Sequence, residues 1–167
     1  FAGRALVGAF EETLPDEAAD LLDVNLLGTA RVVRAALPVL RARKGGRVIV
    51  VSSGAGFVAQ PYCVWYSASK AAVEKLGEGL RMEARQFGVD VATLMPGWTK
   101  TAILETAPRV ATPIAGYATA RTIVERRSAE LLNSSQVPEA VARTVLRMLS
   151  ARRMRAVERV GTDVRSS

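Results

Sequence analysis

Residues 47–70 read R-V-I-V-V-S-S-G-A-G-F-V-A-Q-P-Y-C-V-W-Y-S-A-S-K, and this stretch decides the fold. Val48 to Val51 are apolar and β-branched at every position. A strand apolar on both faces belongs to a parallel sheet covered by helices on both sides. Ser52, Ser53, Gly54 and Gly56 end the run, and residues 54–62 read as a loop. A helix through Tyr66 then runs to about Phe87, with Gly88 as its C-cap. Ala72, Leu76, Leu80 and Ala84 would form its buried face. Tyr66 and Lys70 lie four residues apart, one helical turn, so phenol and ammonium share a face. A cation that close lowers a tyrosine pKa below its usual value of about 10. The chain has no histidine, so proton transfer would fall to a carboxylate or to such a tyrosine.

Upstream, Thr13-Leu14-Pro15-Asp16 marks a helix start, with Thr13 as N-cap and proline in the first turn. Leu21, Val24 and Leu27, then Val32, Ala35 and Ala36, recur at helical spacing. The spacing predicts a helix over residues 14–43, ended by Lys44-Gly45-Gly46, with Pro38 kinking it or ending its regular bonding. Downstream, Val89–Met95 reads as a second buried strand, stopped by Pro96-Gly97. Residues 98–135 lack strong periodicity and predict a loop with one or two short helices. Pro138-Glu139 opens a last helix to about Arg152, with Val141, Val145 and Leu149 on one face. Residues 155–160 read as a short final strand. Alternating helices and strands predict a single α/β domain with a parallel sheet and right-handed crossovers.

Composition narrows the function classes. The chain has 167 residues, 49% hydrophobic and 23% charged, which suits a globular domain with a sizeable core. Its one cysteine, Cys63, excludes an internal disulfide and fits a reducing, cytoplasmic setting. No apolar run approaches the roughly 18 residues of a membrane-spanning helix. The net charge is +7, concentrated near Arg152, Arg153, Arg155, Arg159 and Arg165. No stacking platform or nucleic-acid motif accompanies it, so no nucleic-acid partner is expected. A solvated basic end is the plain reading; attraction to an anionic substrate or a membrane surface is the other. No metal site is expected.

Three motifs occur in order: N-x-x-G at Asn25 and Gly28, S-(12)-Y-x-x-x-K at Ser53, Tyr66 and Lys70, and P-G-x-x-x-T at Pro96, Gly97 and Thr101. Together they resemble the short-chain dehydrogenase/reductase family over almost the whole chain. The resemblance implies a Rossmann-like, doubly wound parallel sheet, of which this chain carries the C-terminal half. The family's opening glycine-rich strand–turn–helix is not in the sequence, which begins with Phe1. An inactive fragment is therefore one expectation, and a non-catalytic binding or regulatory protein of the same fold is another. The leading expectation is an oxidoreductase that interconverts a secondary alcohol and a ketone with NAD or NADP.

The family's roles carry over residue by residue. Tyr66 would be the acid/base, and Lys70 would lower its pKa and hold the nicotinamide ribose hydroxyls. Ser53 would bind the substrate oxygen, and the backbone carbonyl of Asn25 would complete a water-bridged proton relay toward the lysine. Pro96 and Gly97 would let the backbone pass the nicotinamide, and Thr101 would bind its carboxamide. Trp98 would wall the pocket. Gln60, Tyr62, Val64 and Trp65 precede the tyrosine, and Ile103, Leu104, Val110, Ile114 and Tyr117 lie in the family's lid segment. Their apolar character leans toward a hydrophobic alcohol or ketone. The resemblance also implies a homodimer or tetramer through the helices over 14–43 and 66–87, using Leu22, Leu26, Ala68, Ala72 and Val73.

Overall fold

Two parallel strands, one half-buried and one buried, organise the chain. β1 (Gly46–Val51) and β2 (Val89–Pro96) pair from Gly46↔Val89 to Val51↔Leu94. β3 (Val157–Val160) adds in parallel to the other edge of β2, giving the order β1-β2-β3. The computed structural model describes residues 3–161, so Phe1 and Arg165 lie outside the described residues.

Side chains alternate across β2, and both of its faces are covered. Val89 and Val91 pack with Val33, Leu37 and Leu40 of α2 (Gly28–Ala42) and with Leu80 and Ala84 of α4 (Val64–Ala84). Ala92 and Leu94 point the other way, to Val141 and Met148 of α6 (Pro138–Ser150) and to Met154 and Val160. Helices on both faces of a parallel sheet are the doubly wound arrangement that a run apolar at every position, as at Val48–Val51, requires. Leu94 is fully buried, and truncating such a side chain to alanine costs about 2–5 kcal/mol.

α4 lies flush on the sheet at Gly77. A Cβ there would stand 2.5 Å from Thr93 Oγ1 and 2.6 Å from Val50 Cγ2. This close approach sets the buried stripe as Val73, Gly77, Leu80 and Ala84. The expected stripe was wrong at its first two places, since Ala72 and Leu76 are only half-buried. Val73, expected at an assembly surface, is instead in the core, with none of its surface exposed. Gly88, at φ +72°, ends the helical run after a 3₁₀ turn over Arg85–Phe87, as its residue type predicts.

The upstream helix is one rod with a fault in it. α1 (Pro15–Leu22) passes through a π-turn, Asp23–Leu27, into α2. Thr13 is not its cap. Leu14 holds that place and donates its N–H to Glu17 Oε2 at 2.8 Å, whereas Thr13 Oγ1 donates to Ala9 O. Proline at the first helical position makes Leu14 the flanking residue. Pro38 does not end the rod, which continues to Ala42.

Two helices depart from expectation: one replaces the start of a loop, and one in the 98–135 segment is longer than the short helices expected there. Residues 54–57 form a single turn, α3 (Gly54–Phe57), in place of the start of a loop. α5 (Ala118–Asn133) is a 16-residue helix that follows a 3₁₀ turn at Ala115–Tyr117. No residue of α5 is buried, so it carries no apolar stripe for periodicity to reveal. Among the described residues no helix is long and apolar enough to cross a membrane.

Candidate active site

Two serines after β1 tie the strand end to α4. Ser52 donates its N–H to Leu94 O at 2.9 Å and its hydroxyl to Lys70 O at 2.8 Å. Ser53 caps α3, its Oγ accepting the Ala55 N–H at 3.2 Å. Gly56 is the tightest contact of the turn. A Cβ on it would lie 2.9 Å from both the Lys70 carbonyl carbon and Ser52 Oγ. Glycine thus lets α3 rest against the backbone of α4. Ser53, Tyr66 and Lys70 meet past the C-terminal end of β1, where open α/β sheets bind ligands. Ser53 lies near enough to the Tyr66 phenol to act on its pKa. Lys70 Nζ donates to Val51 O at 3.2 Å and stands 5.8 Å from the Tyr66 ring centroid.

The electrostatics correct one expectation. Burial raises the Tyr66 pKa; Ser53 pulls it down, Cys63 adds to the rise, and the net shift is upward. Lys70 is itself buried, and desolvation lowers its pKa to about 8. Desolvation disfavours each charged form, and the ammonium is satisfied by a backbone carbonyl rather than by the phenolate. The expected lowering of the Tyr66 pKa by Lys70 is therefore not what this geometry produces. Burial also pushes the Cys63 thiol up to about 11, so that neighbour is a neutral group near pH 7.

Asn25 is buried inside the π-turn, 1% exposed. Its Oδ1 accepts the Arg4 N–H at 2.8 Å; its Nδ2 donates to Arg4 O at 2.9 Å and to Ser69 Oγ at 3.0 Å. Ser69 Oγ donates in turn to Tyr66 O at 2.7 Å. The backbone carbonyl of Asn25, expected to serve a relay, accepts the Thr29 hydroxyl at 2.8 Å. Asn25 thus clasps the N-terminal segment to the turn of α4 that bears Tyr66. Gly3 completes this niche. A Cβ on it would lie 3.7 Å from both Lys70 Nζ and Asn25 Oδ1, so its bare backbone leaves space beside the ammonium. Sequence reasoning missed Gly3, Ser52 and Ser69. The Y-S-A-S-K run contains Ser69, but nothing in its spacing marks it.

The second rim follows β2. Gly97 donates its N–H to Val160 O at 2.8 Å, and Pro96 and Trp98 are half-buried beside it. Gln136, also missed, braces this turn: its Nε2 donates to Val160 O at 2.9 Å and to Thr99 Oγ1 at 3.2 Å. Thr101 is exposed in the following bend.

The residues expected to meet substrate are only partly brought together. Tyr117 and Tyr62 stand edge to face at 6.3 Å, and with Ala9, Phe10 and Glu11 they line a cavity of about 330 Å³. Trp65 stacks on Phe10 at 5.7 Å. Ile103 sits half-buried in the turn after Thr101 and is not in that cavity's lining. Gln60 acts through its backbone, donating its N–H to Ser67 Oγ and accepting from Cys63 N. The segment expected to form a lid docks on the N-terminal segment through a backbone bridge at Val7 and Arg109 and through carboxylates. Glu12, 2% exposed, accepts the N–H groups of Ala9 and Ile114 and pairs with Arg121. Burial pushes the Glu12 carboxyl up, but those hydrogen bonds and the Arg121 charge outweigh it and hold the pKa low. Tyr117 donates its hydroxyl to Glu11 Oε2 at 2.7 Å.

The sequence matches the family described as short chain dehydrogenase over residues 1–110. It is 36% identical over 155 residues to estradiol 17-beta-dehydrogenase 1 of Rattus norvegicus, covering 90% of this chain and 45% of that protein. It is 34% identical over 113 residues to the oxidoreductase UcpA of Escherichia coli, 67% of this chain and 43% of the other. Among solved structures it resembles a short-chain dehydrogenase from Streptomyces avermitilis, with a TM-score of 0.84 and 32% identity. That likeness covers 98% of this chain and 60% of that one. A gluconate 5-dehydrogenase of Burkholderia cenocepacia, in complex with NADP and tartrate, matches 61% of this chain and 40% of its own, with a TM-score of 0.60 and 29% identity. The chain spans less than half the length of these curated relatives.

Proposed function

This chain belongs to the short-chain dehydrogenase family, and from that premise we propose that it is the catalytic half of an NAD(P)-dependent oxidoreductase acting on a secondary alcohol or ketone. The observation that carries the reading is the convergence at the C-terminal end of a parallel strand, where Lys70 Nζ donates to Val51 O and stands 5.8 Å from the Tyr66 ring, with Ser53 acting on the phenol. A dinucleotide suits the residues present. Lys70 Nζ has three donors, one of which goes to Val51 O, and Gly3 keeps the adjoining space clear. Lys70 would hold the ribose hydroxyls there, with Pro96, Gly97 and Thr101 toward the nicotinamide ring. When bound, the dinucleotide supplies or accepts the hydride.

The chain's own residues handle the oxygen and its proton. Ser53 donates a hydrogen bond to the substrate oxygen, where negative charge develops during reduction. Tyr66, protonated near neutral pH because burial raises its pKa, gives its phenolic proton to that oxygen. In the alcohol-to-ketone direction the same phenol takes the proton back. Asn25 and Ser69 fix the helical turn that carries Tyr66. Trp65, Tyr62 and Tyr117 near the mouth favour an apolar substrate. In the whole protein, exposed apolar residues on α2 and α4, among them Val32, Val39 and Met82, would pack in a homodimer or tetramer.

The test uses the intact protein, NADH and NADPH, and a panel of ketones and secondary alcohols, followed by nicotinamide absorbance. Turnover of at least one apolar ketone is expected, with Ser53→Ala and Tyr66→Phe inactive yet still binding dinucleotide. A protein that binds dinucleotide but turns over no alcohol or ketone would sink the proposal and favour a binding role.

A further inference from the structure

At the opposite end of the sheet from Tyr66, a second cavity of about 330 Å³ opens between the starts of β1 and β2 and the segment after α6. Gly46 and Val89, paired across the strands, form its floor. From Gly46 to Ser53 the chain runs seven extended steps, about 20 Å at strand rise, so this cavity is separate from the site above. Four arginines are among its lining residues: Arg47, Arg85, Arg152 and Arg153.

Their partners are few. Arg47 is committed, donating to the carbonyls of Met148, Leu149 and Ala151 at the end of α6. That is the ordinary use of a cation at a helix C-terminus. Arg85, Arg152 and Arg153 make no ion pair among the described residues. The one acid in the lining, Asp90, is already held by Arg81 at 2.9 Å and by the Met154 N–H at 2.8 Å. Like charges gathered around a concavity repel one another and raise the local concentration of anions. Guanidinium forks match phosphate oxygens in pairs of hydrogen bonds. The arginines line a hollow that includes no aromatic side chain, which favours a compact anion over a nucleic-acid strand.

We propose that this cleft binds a phosphate-bearing anion, with Arg85, Arg152 and Arg153 as its ligands and Arg47 as the fixed edge. The ligand is a free oligophosphate or a phosphate headgroup; both present the same oxygens.

The probe is inorganic pyrophosphate, titrated calorimetrically into the intact protein at low salt with saturating dinucleotide, so that the cofactor's own phosphate region is filled. Saturable one-to-one binding is expected, weakened at least tenfold in Arg152→Glu/Arg153→Glu. Arg126→Glu/Arg127→Glu, on exposed α5, changes net charge equally and should leave the affinity within twofold. Dehydrogenase turnover and thermal unfolding should be unchanged in both pairs. Phosphatidic acid vesicles separate the sources: binding displaced by pyrophosphate assigns a headgroup, and no vesicle binding assigns a free anion. Equal losses in the two pairs, no saturation, or binding only to duplex DNA would overturn the proposal.

Discussion

The turn after β1 and the lid segment stand side by side, yet they are built on opposite principles. Around Ser52–Lys70 the polar contacts are short-range in space, mostly neutral and buried, and glycine contacts set the distances. Between residues 106 and 133 a short backbone bridge to Val7 is joined by contacts to carboxylates about a hundred residues back, Glu11, Glu12 and Glu17. The first region is a tightly packed frame for the proposed proton-transfer pair. The second is a cover latched at a few points, with a helix that buries nothing of its own. Rigid framing serves chemistry that needs fixed geometry; a latched cover serves passage of substrate.

The largest effect should come from the frame's centre. Tyr66→Phe keeps the ring and removes the transferable proton, so turnover in the intact enzyme should fall roughly 10²–10⁴-fold with unfolding unchanged. Near wild-type rates would end the acid/base assignment.

Next comes the frame's geometry. Gly56→Val should force α3 off α4, since even a Cβ meets backbone atoms at 2.9 Å. Urea unfolding should show a loss of roughly 1–3 kcal/mol, typical of overpacking, together with lost activity. If stability and kcat both survive, the close contact does not set the position of Lys70.

A pH experiment sharpens the electrostatic half of the comparison. The folded-state pKa of Lys70, about 8, lies below its ordinary value of 10.5. Between those values the unfolded chain binds the extra proton, so stability from this group rises with pH. Wild type minus Lys70→Met, without dinucleotide, should therefore gain stability from pH 8 to 10.5. A flat difference would mean that the ammonium is not desolvated.

The lid should respond more mildly. Glu12→Gln removes the charge facing Arg121 while keeping the shape. KM should rise severalfold with kcat little changed, and protease cleavage within 106–121 should quicken. A fall in kcat with KM unchanged would place Glu12 within the frame instead.

The same contrast explains what the sequence disclosed. Val48–Val51 is apolar at every position and Val89–Met95 at all but Asp90 and Thr93, because helices cover both faces, so strands and layering were readable. Ser53, Tyr66 and Lys70 lie within eighteen residues on one strand–turn–helix, so their meeting follows from local geometry. α3 was hidden because Gly54-Ala55-Gly56 has poor helix propensity; its helix depends on the Ser53 cap and on packing against α4. The tyrosine's electrostatics were misread because one-turn spacing reveals a nearby charge but not the burial that opposes it. Gln136 and the Glu12–Arg121 latch were invisible because each partner is far away in sequence and no period links them.

The π-turn at Asp23–Leu27 can be seen as an insertion that the fold has absorbed. Each residue of a helix advances the side chains by about 100°, and a π-turn holds one residue more than an α-turn. It therefore resets the phase between α1, which buries Ala18 and Leu21, and α2, which faces the sheet with Val33, Leu37 and Leu40. Deleting one residue there would give a smoother helix and a worse protein. Either the Ala18–Leu21 stripe or the α2 stripe would swing out of register, and Asn25 would leave Arg4 and Ser69. In this rod the irregular turn is the joint at which two packing problems, each solved with its own period, are made compatible.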